Sequence, residues 1–342
     1  MRAAVMRNSN LVVDTVPDPE PGPGEVLVKT LACGICGSDL HALRHADKLV
    51  ESAAESGVPF LMDVKRDIVM GHEFCAEIVD YGPGAVKTHA PGTRVVSMPL
   101  AMGAGGLQGV GYSNDYPGGY GELMKLSELF LIPVPNGLAT EHAALTEPMA
   151  VGMHAVAKSR FEQWDAPMVI GCGPVGLAVI AALKLRGAEP IVAADFSPTR
   201  RALAARMGAH VVVDPAQTPA IEAWREAAGA RPAVIFECVG VPGLLLQVMR
   251  DAPREARVVV AGVCMEEDRI RPMIGINKEL SLQFVLGYAP DEFAGTLTAI
   301  AEGKIDVAPL VTSRIGVGGV PAAFEELANP EGQAKILVEP WR

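Results

Sequence analysis

An uncharged run of 18 residues, 166–183, restricts the fold of this chain more than any other feature. Its length approaches that of a membrane span, but Gly171, Gly173, Pro174 and Gly176 interrupt it. A strand of a parallel sheet is covered on both faces and is therefore apolar throughout, like the first part of this run. The sequence thus predicts a buried strand that leads into a buried helix of a doubly wound α/β domain, and no membrane span.

The glycine spacing inside this run is typical of a turn that binds a phosphate group. Gly171 permits the tight turn, Gly173 lets the backbone approach a pyrophosphate, and Gly176 allows close packing of helix on strand. The N-terminus of the following helix stabilises negative charge. The same pattern occurs in glycine-rich turns that only pack a helix onto a sheet, so by itself it is weak support for a dinucleotide site.

The second strand of this domain favours the dinucleotide interpretation, because it ends in a carboxylate. Asp195 follows an apolar segment at about the separation expected for an acid that binds a ribose 2′-hydroxyl. Such a carboxylate favours NAD over the 2′-phosphorylated NADP. Arg200 and Arg201 follow closely, and they either contact a phosphate or are ordinary charges on a helix. We predict a preference for NAD.

The pattern of predicted elements divides the chain into two domains. Residues 1–150 contain short strands separated by proline and glycine turns, which is typical of a β-rich domain. Strands and helices then alternate, with six strands in all, as in a doubly wound parallel sheet. The C-terminal tail ends in an apolar strand that we assign to the first domain. The predicted domains are residues 1–153 with 287–342, and residues 154–286.

Composition excludes several classes of function. With 49% hydrophobic and 20% charged residues, a chain of 342 residues can form two packed cores. The net charge of -11 repels a phosphate backbone, so we expect a small-molecule substrate and no nucleic-acid partner. The six cysteines lie mostly in apolar segments and the N-terminus has no apolar signal core, which predicts a reduced, cytoplasmic protein.

Two short segments of the N-terminal half carry the residues of a metal site. Cys36 lies in the segment CGICGSDLH, and His72 with Glu73 precedes a predicted strand. Thiolate, imidazole and carboxylate together suit zinc, and three protein ligands leave one position open for a substrate. Taken alone, the spacing of Cys33 and Cys36 also fits a redox pair or half of a structural zinc site. A second cysteine pair for a structural site does not occur, and the compact βαβ surroundings of a redox pair are missing.

Five motifs occur in an order that resembles one known family. Along the chain they are CGICGSDLH, GHE, EPMAVGMHA, GCGPVG and a strand with an acidic end. In this order they resemble the zinc-dependent medium-chain dehydrogenases, and most closely the polyol and threonine dehydrogenases. The resemblance implies an N-terminal GroES-like catalytic domain and a six-stranded Rossmann domain. The implied activity is hydride transfer between a secondary or polyhydric alcohol and NAD.

The resemblance also assigns the ligands of the metal. Cys36 and His72 would supply sulfur and nitrogen, and either Glu73 or Glu147 would supply the carboxylate. In such enzymes the two acids can exchange with a water. Asp39 would fix the orientation of the His72 ring from the side away from the metal, as acidic partners of metal-binding histidines do.

The proton of the alcohol hydroxyl needs a route out of the site. The resemblance assigns it to Ser38, then to the cofactor ribose and to His41, with Glu73 also taking part in catalysis. An alternative for His41 is a surface histidine without a role. The expected cofactor contacts are Gly171, Gly173, Pro174, Val175, Gly176, Asp195, Arg200, Val239 and Val263.

Two segments depart from the family pattern. Residues 97–122 contain no cysteine where relatives often hold a structural zinc with four, which predicts one catalytic zinc per chain and no structural zinc. The connection 42–70 is longer than usual, and we expect a short helix over 47–55 within it. Such a segment is well placed to shape substrate access, and a harmless surface loop is the alternative.

Other classes of function compete with this prediction. A zinc-free quinone or enoyl reductase of the same superfamily would lack the ligands Cys36 and His72. A nucleotide sensor would keep the fold and bind the cofactor without oxidising an alcohol. The family also implies a homodimer or homotetramer, for which residues 282–286 are the candidate sheet edge. Tyr288, just beyond this edge, either lines a substrate or nicotinamide pocket or is structural.

Overall fold

The computed structural model describes residues 1–58, 61–103, 106–135, 137–328 and 333–342. They form two compact units, one of Met1–Glu147 with Val311–Arg342 and the other of Pro148–Leu310. The boundaries that we predicted for independently folding domains, after residues 153 and 286, stay predictions.

The first unit consists mainly of short strands, as expected from its proline and glycine turns. Its elements in chain order are β1 (Arg2–Arg7), β2 (Asn10–Thr15), β3 (Glu25–Gly34), α1 (Gly37–Glu55), β4 (Ile68–Val69), β5 (Glu73–Tyr81), β6 (Arg94–Ser97), β7 (Leu100–Gly103), β8 (Gly106–Gly109), β9 (Leu123–Ser127), β10 (Leu131–Pro133) and α2 (Thr140–Ala143). The C-terminal part adds β17 (Val311–Ile315), α10 (Val320–Leu327) and β18 (Lys335–Val338).

Strand β3 organises the largest sheet of this unit. The strand order is β10-β6-β5-β3-β18-β17, and β9 also pairs with β3. Gly34 at the end of β3 lies opposite Glu73 on one side and Leu337 on the other. This register brings three segments that are far apart in the sequence to one end of β3. A smaller sheet has the order β2-β1-β4, and β7 pairs with β8 in antiparallel orientation.

The second unit alternates strands and helices. It contains α3 (Thr146–Lys158, which begins in the first unit), β11 (Ala166–Ile170), α4 (Pro174–Leu185), β12 (Val192–Ala194), α5 (Pro198–Met207), β13 (Val211–Val213), α6 (Ala220–Ala228), β14 (Ala233–Glu237), α7 (Leu244–Asp251), β15 (Arg257–Val260), α8 (Pro272–Lys278), β16 (Ser281–Phe284) and α9 (Pro290–Ala301). All six strands are parallel, in the order β13-β12-β11-β14-β15-β16. The predicted six-stranded doubly wound sheet is therefore confirmed.

The uncharged run folds as the strand β11 and the helix α4. Both elements are almost wholly buried, which explains their lack of charge. A Cβ atom added to Gly176 would lie 1.9 Å from the carbonyl oxygen of Gly171, so this position requires glycine. Across the described ranges, no helix combines the length and apolar character needed to cross a membrane.

Helix α1 begins directly after Cys36, the predicted metal ligand. The helix runs from Gly37 to Glu55, with a kink at His45. The predicted short helix started only at residue 47, so the observed helix is longer at its N-terminal end. Its start is stabilised because the backbone N–H of Cys36 donates to Oδ2 of Asp39 at 3.0 Å. The motif and the start of the long connection thus form one continuous element.

Candidate active site

Cys36, His72 and Glu73 come together at one end of β3. One potential ligand atom from each of these residues lies within 4.8 Å of those of the other two. Cys36 lies between β3 and α1, whereas Glu73 opens β5 opposite Gly34. The strand pairing therefore explains why ligands from separate segments meet. Within the described ranges, this is the one cluster of histidine, cysteine and acidic side chains with metal-binding spacing.

The imidazole of His72 is oriented by a buried carboxylate. Oδ1 of Asp39 lies 3.3 Å from Nδ1 of His72, and neither atom has a hydrogen-bond partner elsewhere among the described residues. Because Nδ1 faces the acid, Nε2 is the atom left for a metal. The other oxygen of Asp39 accepts from the Tyr120 hydroxyl at 2.6 Å. The donor set and the paired imidazole fit zinc, whose histidine ligands commonly bond to a carboxylate.

The carboxyl group of Asp39 is fully buried and is stabilised in its charged form by its neighbours. Burial acts to raise the pKa of this fully buried carboxyl, but His72, Tyr120 and the N–H of Cys36 lower it on balance. For His72, burial acts to lower the pKa, and Asp39 and Cys36 raise it well above its usual value. The pair therefore carries opposite charges when no metal is bound. A metal ion would take the place of the imidazole proton.

Lys335 is a residue of the site that the sequence analysis did not identify. Its Nζ donates to both carboxylate oxygens of Glu73 at 2.7 Å, and to the carbonyl oxygen of Ile35 at 3.1 Å. Burial acts to lower its pKa, but Glu73, Cys36 and Glu147 raise it on balance, so the amine is protonated. A metal at this site would share Glu73 with a permanent cation. The sequence feature that could have indicated this role is a lysine within an otherwise apolar C-terminal strand.

Glu147, the other predicted carboxylate ligand, lies at the start of α3 and is 9% exposed. It is close enough to raise the pKa of Lys335. Which of Glu73 and Glu147 binds the metal stays a prediction.

Ser38 and His41 share one face of α1, as residues three positions apart do. The hydroxyl of Ser38 donates to Sγ of Cys36 at 3.1 Å. Burial, together with the charges of His45 and Arg44, lowers the pKa of His41, so its imidazole is neutral near pH 7. A neutral imidazole can accept a proton, which is the chemistry expected of His41.

Tyr112 is a second residue that sequence reasoning missed. Its hydroxyl donates to Oγ of Ser38 at 2.8 Å, and its ring lies 5.2 Å from that of His72, centroid to centroid. Burial, Asp39 and Cys36 raise the pKa of the phenol well above its usual value, so the hydroxyl keeps its proton. No local pattern marks this tyrosine, because it lies outside the five motifs along the chain.

The glycine turn and Asp195 lie together in the second unit. Oδ2 of Asp195 accepts from the backbone N–H of Cys172 at 2.7 Å, and Oδ1 accepts from Ser197 N–H at 2.8 Å. Nη1 of Arg200 lies 4.0 Å from the same carboxylate. The guanidinium of Arg201 pairs with Asp214 at 3.2 Å. The acid is thus fixed against the turn that would hold a pyrophosphate.

The other expected cofactor residues lie in this turn or after neighbouring strands of the same sheet. Pro174 and Val175 form the first turn of α4. Val239 follows β14 and Val263 follows β15, and both are partly exposed, at 43% and 44%. The carboxyl ends of β11 and β14 are neighbours in the sheet, where α/β proteins bind their ligands. Tyr288 stacks on Phe293 with ring centroids 5.3 Å apart.

A Rossmann-type sheet and a GroES-like β unit with a thiolate, imidazole and carboxylate cluster define the class of zinc-dependent dehydrogenases. Residues 22–136 match the family model "Alcohol dehydrogenase GroES-like domain", and residues 174–302 match "Zinc-binding dehydrogenase". The (R,R)-butanediol dehydrogenase of Bacillus subtilis is 34% identical over 99% of this chain and 100% of that protein. The chain therefore belongs to the zinc-dependent medium-chain dehydrogenases, in the alcohol and polyol branch.

Further relatives agree with this assignment. The sorbitol dehydrogenase of Bacillus subtilis is 29% identical over 100% of this chain and 98% of its own. The crystal structure of the Bacillus subtilis 2R,3R-butanediol dehydrogenase has a TM-score of 0.85 at 32% identity, with 99% of each chain covered. A zinc-binding dehydrogenase of Sinorhizobium meliloti 1021, solved with NADP, has a TM-score of 0.84 at 29% identity and the same coverage. These findings favour a zinc-dependent oxidoreductase over a zinc-free reductase or a sensor.

Proposed function

We propose that this protein oxidises a secondary or polyhydric alcohol to its carbonyl compound, with NAD as the hydride acceptor. The observation that carries the proposal is the meeting of Cys36, His72 and Glu73 in a member of this family. Because relatives include butanediol and sorbitol dehydrogenases, we favour substrates with a second hydroxyl next to the carbon that is oxidised.

The metal would be held by Cys36, His72 and one of the two acids. When bound, zinc supplies a Lewis acid that lowers the pKa of an alcohol hydroxyl. Asp39 keeps the imidazole in the orientation needed for metal binding. Ser38 is proposed to accept the hydroxyl proton, and the neutral His41 is proposed to receive it at the end of the route.

The preference for NAD is supported by the position of Asp195. Its carboxylate is fixed by two backbone N–H groups, so it presents a negative charge that repels a 2′-phosphate. Arg201 is occupied by Asp214 and by the carbonyl oxygens of Asp195 and Phe196. One relative was solved with NADP, so a direct comparison of the two cofactors is the decisive measurement.

One zinc per chain is the proposed metal content, because the segment 97–122 offers no cysteine for a structural zinc. A reducing compartment such as the cytoplasm is proposed as well, since the six cysteines are free thiols and lie mostly in apolar segments.

A homodimer or homotetramer is supported by the edge of the parallel sheet. Strand β16 is the last in the strand order, and Phe284 and Leu286 at its end are 63% and 83% exposed. Met273 and Ile276 of the neighbouring helix α8 are exposed as well, at 61% and 66%. An unpaired edge with exposed apolar side chains is suited to pairing with a second copy.

The test is oxidation of an alcohol panel by the zinc-loaded protein with NAD or NADP. The panel contains the stereoisomers of 2,3-butanediol, sorbitol, threonine and simple primary alcohols. We expect turnover of at least one diol or polyol, loss of activity on chelation, and one zinc per chain by elemental analysis. Cys36→Ser should lose both metal and activity, whereas Cys264→Ser, outside the cluster, should keep both. Binding of NAD without turnover of any alcohol would favour the sensor.

A further inference from the structure

The two segments that depart from the family pattern contact each other through Asn114. Its Oδ1 accepts from the backbone N–H of Asp63 at 2.8 Å. Its Nδ2 donates to the carbonyl oxygens of Asp63 and Asp67, at 3.0 and 3.3 Å. The turn 63–67 of the long connection is thereby tied to the cysteine-free loop 110–118.

This loop is also bonded to the segment that leads to His72. The backbone N–H of Gly118 donates to the carbonyl oxygen of Val69 at 2.7 Å, and that of Gly119 donates to Gly71 at 2.8 Å. The buried hydroxyl of Tyr116 donates to a carboxylate oxygen of Glu25 at 2.5 Å. Because the middle of the loop and its C-terminal end are bonded in this way, its position relative to the metal-ligand cluster is well defined.

From this fixed position, the side chain of Tyr112 extends to the cluster of Cys36, His72 and Glu73. Its hydroxyl donates to Ser38, whose own hydroxyl donates to Sγ of Cys36, at 2.8 and 3.1 Å. Phenol, serine and cysteine therefore form one chain of hydrogen bonds, with the ring of Tyr112 packed near His72. The loop thus contributes a side chain to the active site in a segment where many relatives hold a structural zinc.

We propose that Tyr112 is a positioning residue, which holds the hydroxyl of Ser38 on the sulfur of Cys36, and that Asn114 keeps it there. A serine hydroxyl has one proton and two lone pairs. In the resting site its proton lies on sulfur and one lone pair accepts from Tyr112, so a single lone pair is left for the hydroxyl of a bound alcohol. When Ser38 accepts the alcohol proton, it releases its own proton from sulfur along the route proposed to end at His41. A hydrogen bond to the thiolate also withdraws charge from it, which strengthens a metal bound there as a Lewis acid. This inference rests on the proposed function.

The test compares Tyr112→Phe, Ser38→Ala and the double variant. Tyr112→Phe removes the hydroxyl and keeps the ring, and we expect kcat/KM to fall about threefold to tenfold, as for loss of one hydrogen bond. In the cobalt-substituted protein, the sulfur-to-cobalt charge-transfer band should move to lower energy, because the thiolate loses a hydrogen bond. If Tyr112 acts mainly through Ser38, Tyr112→Phe has a clearly smaller effect in the Ser38→Ala background, where it removes only the bond of the phenol with Asp39.

A matched control and a second variant complete the experiment. Tyr81→Phe removes a phenol that donates to the carbonyl oxygen of His89 at 2.5 Å, outside the cluster, and should leave kcat/KM and the band unchanged. Asn114→Ala leaves Tyr112 intact and should shift the band in the same direction by a smaller amount.

The inference would be overturned by an unchanged band in Tyr112→Phe, or by an equal effect of this substitution with and without Ser38. The band requires only metal binding, so it responds even if no alcohol is oxidised. A band shift in a protein without alcohol turnover would refute the proposed function and leave the positioning role standing.

Discussion

The amine of Lys335 lies 2.7 Å from both carboxylate oxygens of Glu73, in a pair that is almost completely buried. The lysine belongs to the last strand of the chain and the glutamate to β5, and both strands flank β3. A buried charge that loses its partner is costly in the metal-free protein, because water does not replace the partner. Through this pair, the C-terminal strand places a positive charge on Glu73, one of the three candidate metal ligands.

Replacement of Lys335 by methionine should destabilise the protein strongly. Glu73 would stay buried without its cation, and we expect the free energy of unfolding to fall by about 3–5 kcal/mol. Chemical denaturation followed by circular dichroism measures this change. Adding Glu73→Gln to Lys335→Met should restore part of the loss, since it removes the orphaned charge.

The control for this prediction is Lys304→Met, which breaks the exposed pair with Glu302 at 2.6 Å. An exposed ion pair contributes about 0–1 kcal/mol, so little change is expected. Equal effects of the two lysine substitutions would contradict the role given to Lys335.

Replacement of Asp39 by asparagine should weaken metal binding. The amide cannot carry the charge that orients the imidazole of His72, and the loss of such a partner typically costs about 10–100-fold in metal affinity. Competition with a fluorescent zinc chelator measures the affinity. Asp47→Asn, at an exposed position of the same helix, should bind zinc as the wild type does. An unchanged affinity of Asp39→Asn would exclude the orienting role.

Replacement of Asp195 by asparagine should reduce the preference for NAD. The substitution keeps the shape of the side chain and removes the charge that repels a 2′-phosphate, with Arg200 close by. We expect the ratio of kcat/KM for NAD over NADP to fall about tenfold, because one partly screened charge is worth about 1–4 kcal/mol at contact distance. Asp251→Asn, which removes an exposed carboxylate at the end of α7, is the matched control and should leave this ratio unchanged. A wild-type preference for NADP would reverse this assignment.

Replacement of Leu286 by lysine should weaken self-association. The side chain is 83% exposed beside the edge of the parallel sheet, so a charge there opposes burial against a second copy. Analytical ultracentrifugation over a range of protein concentrations should detect a shift towards the monomer. Val86→Lys, at an 84% exposed position of the first unit, should leave the assembly unchanged. A monomeric wild type would refute the proposed oligomer.

Local patterns were sufficient to predict the parallel sheet and to single out Cys36, His72 and Glu73, which the fold brings together. The run 166–183 and its glycines belong to neighbouring elements, β11 and α4, so their meaning is contained in the sequence order. Cys36, His72 and Glu73 lie in short motifs whose residue types already suit zinc. Metal specificity depends on the donor atoms of the ligands, and these atoms follow directly from the residue types.

The sequence by itself therefore determined the class of fold and indicated the candidate ligand atoms and the glycine turn, because residue type and local spacing are contained in short segments. Only the tertiary structure decided the partners of these residues. The bond from Lys335 to Glu73 joins positions 262 residues apart, and the bond from Tyr112 to Ser38 joins positions 74 apart. Such contacts depend on strand register and on the path of the loops. Neither can be predicted from the pattern of neighbouring residues.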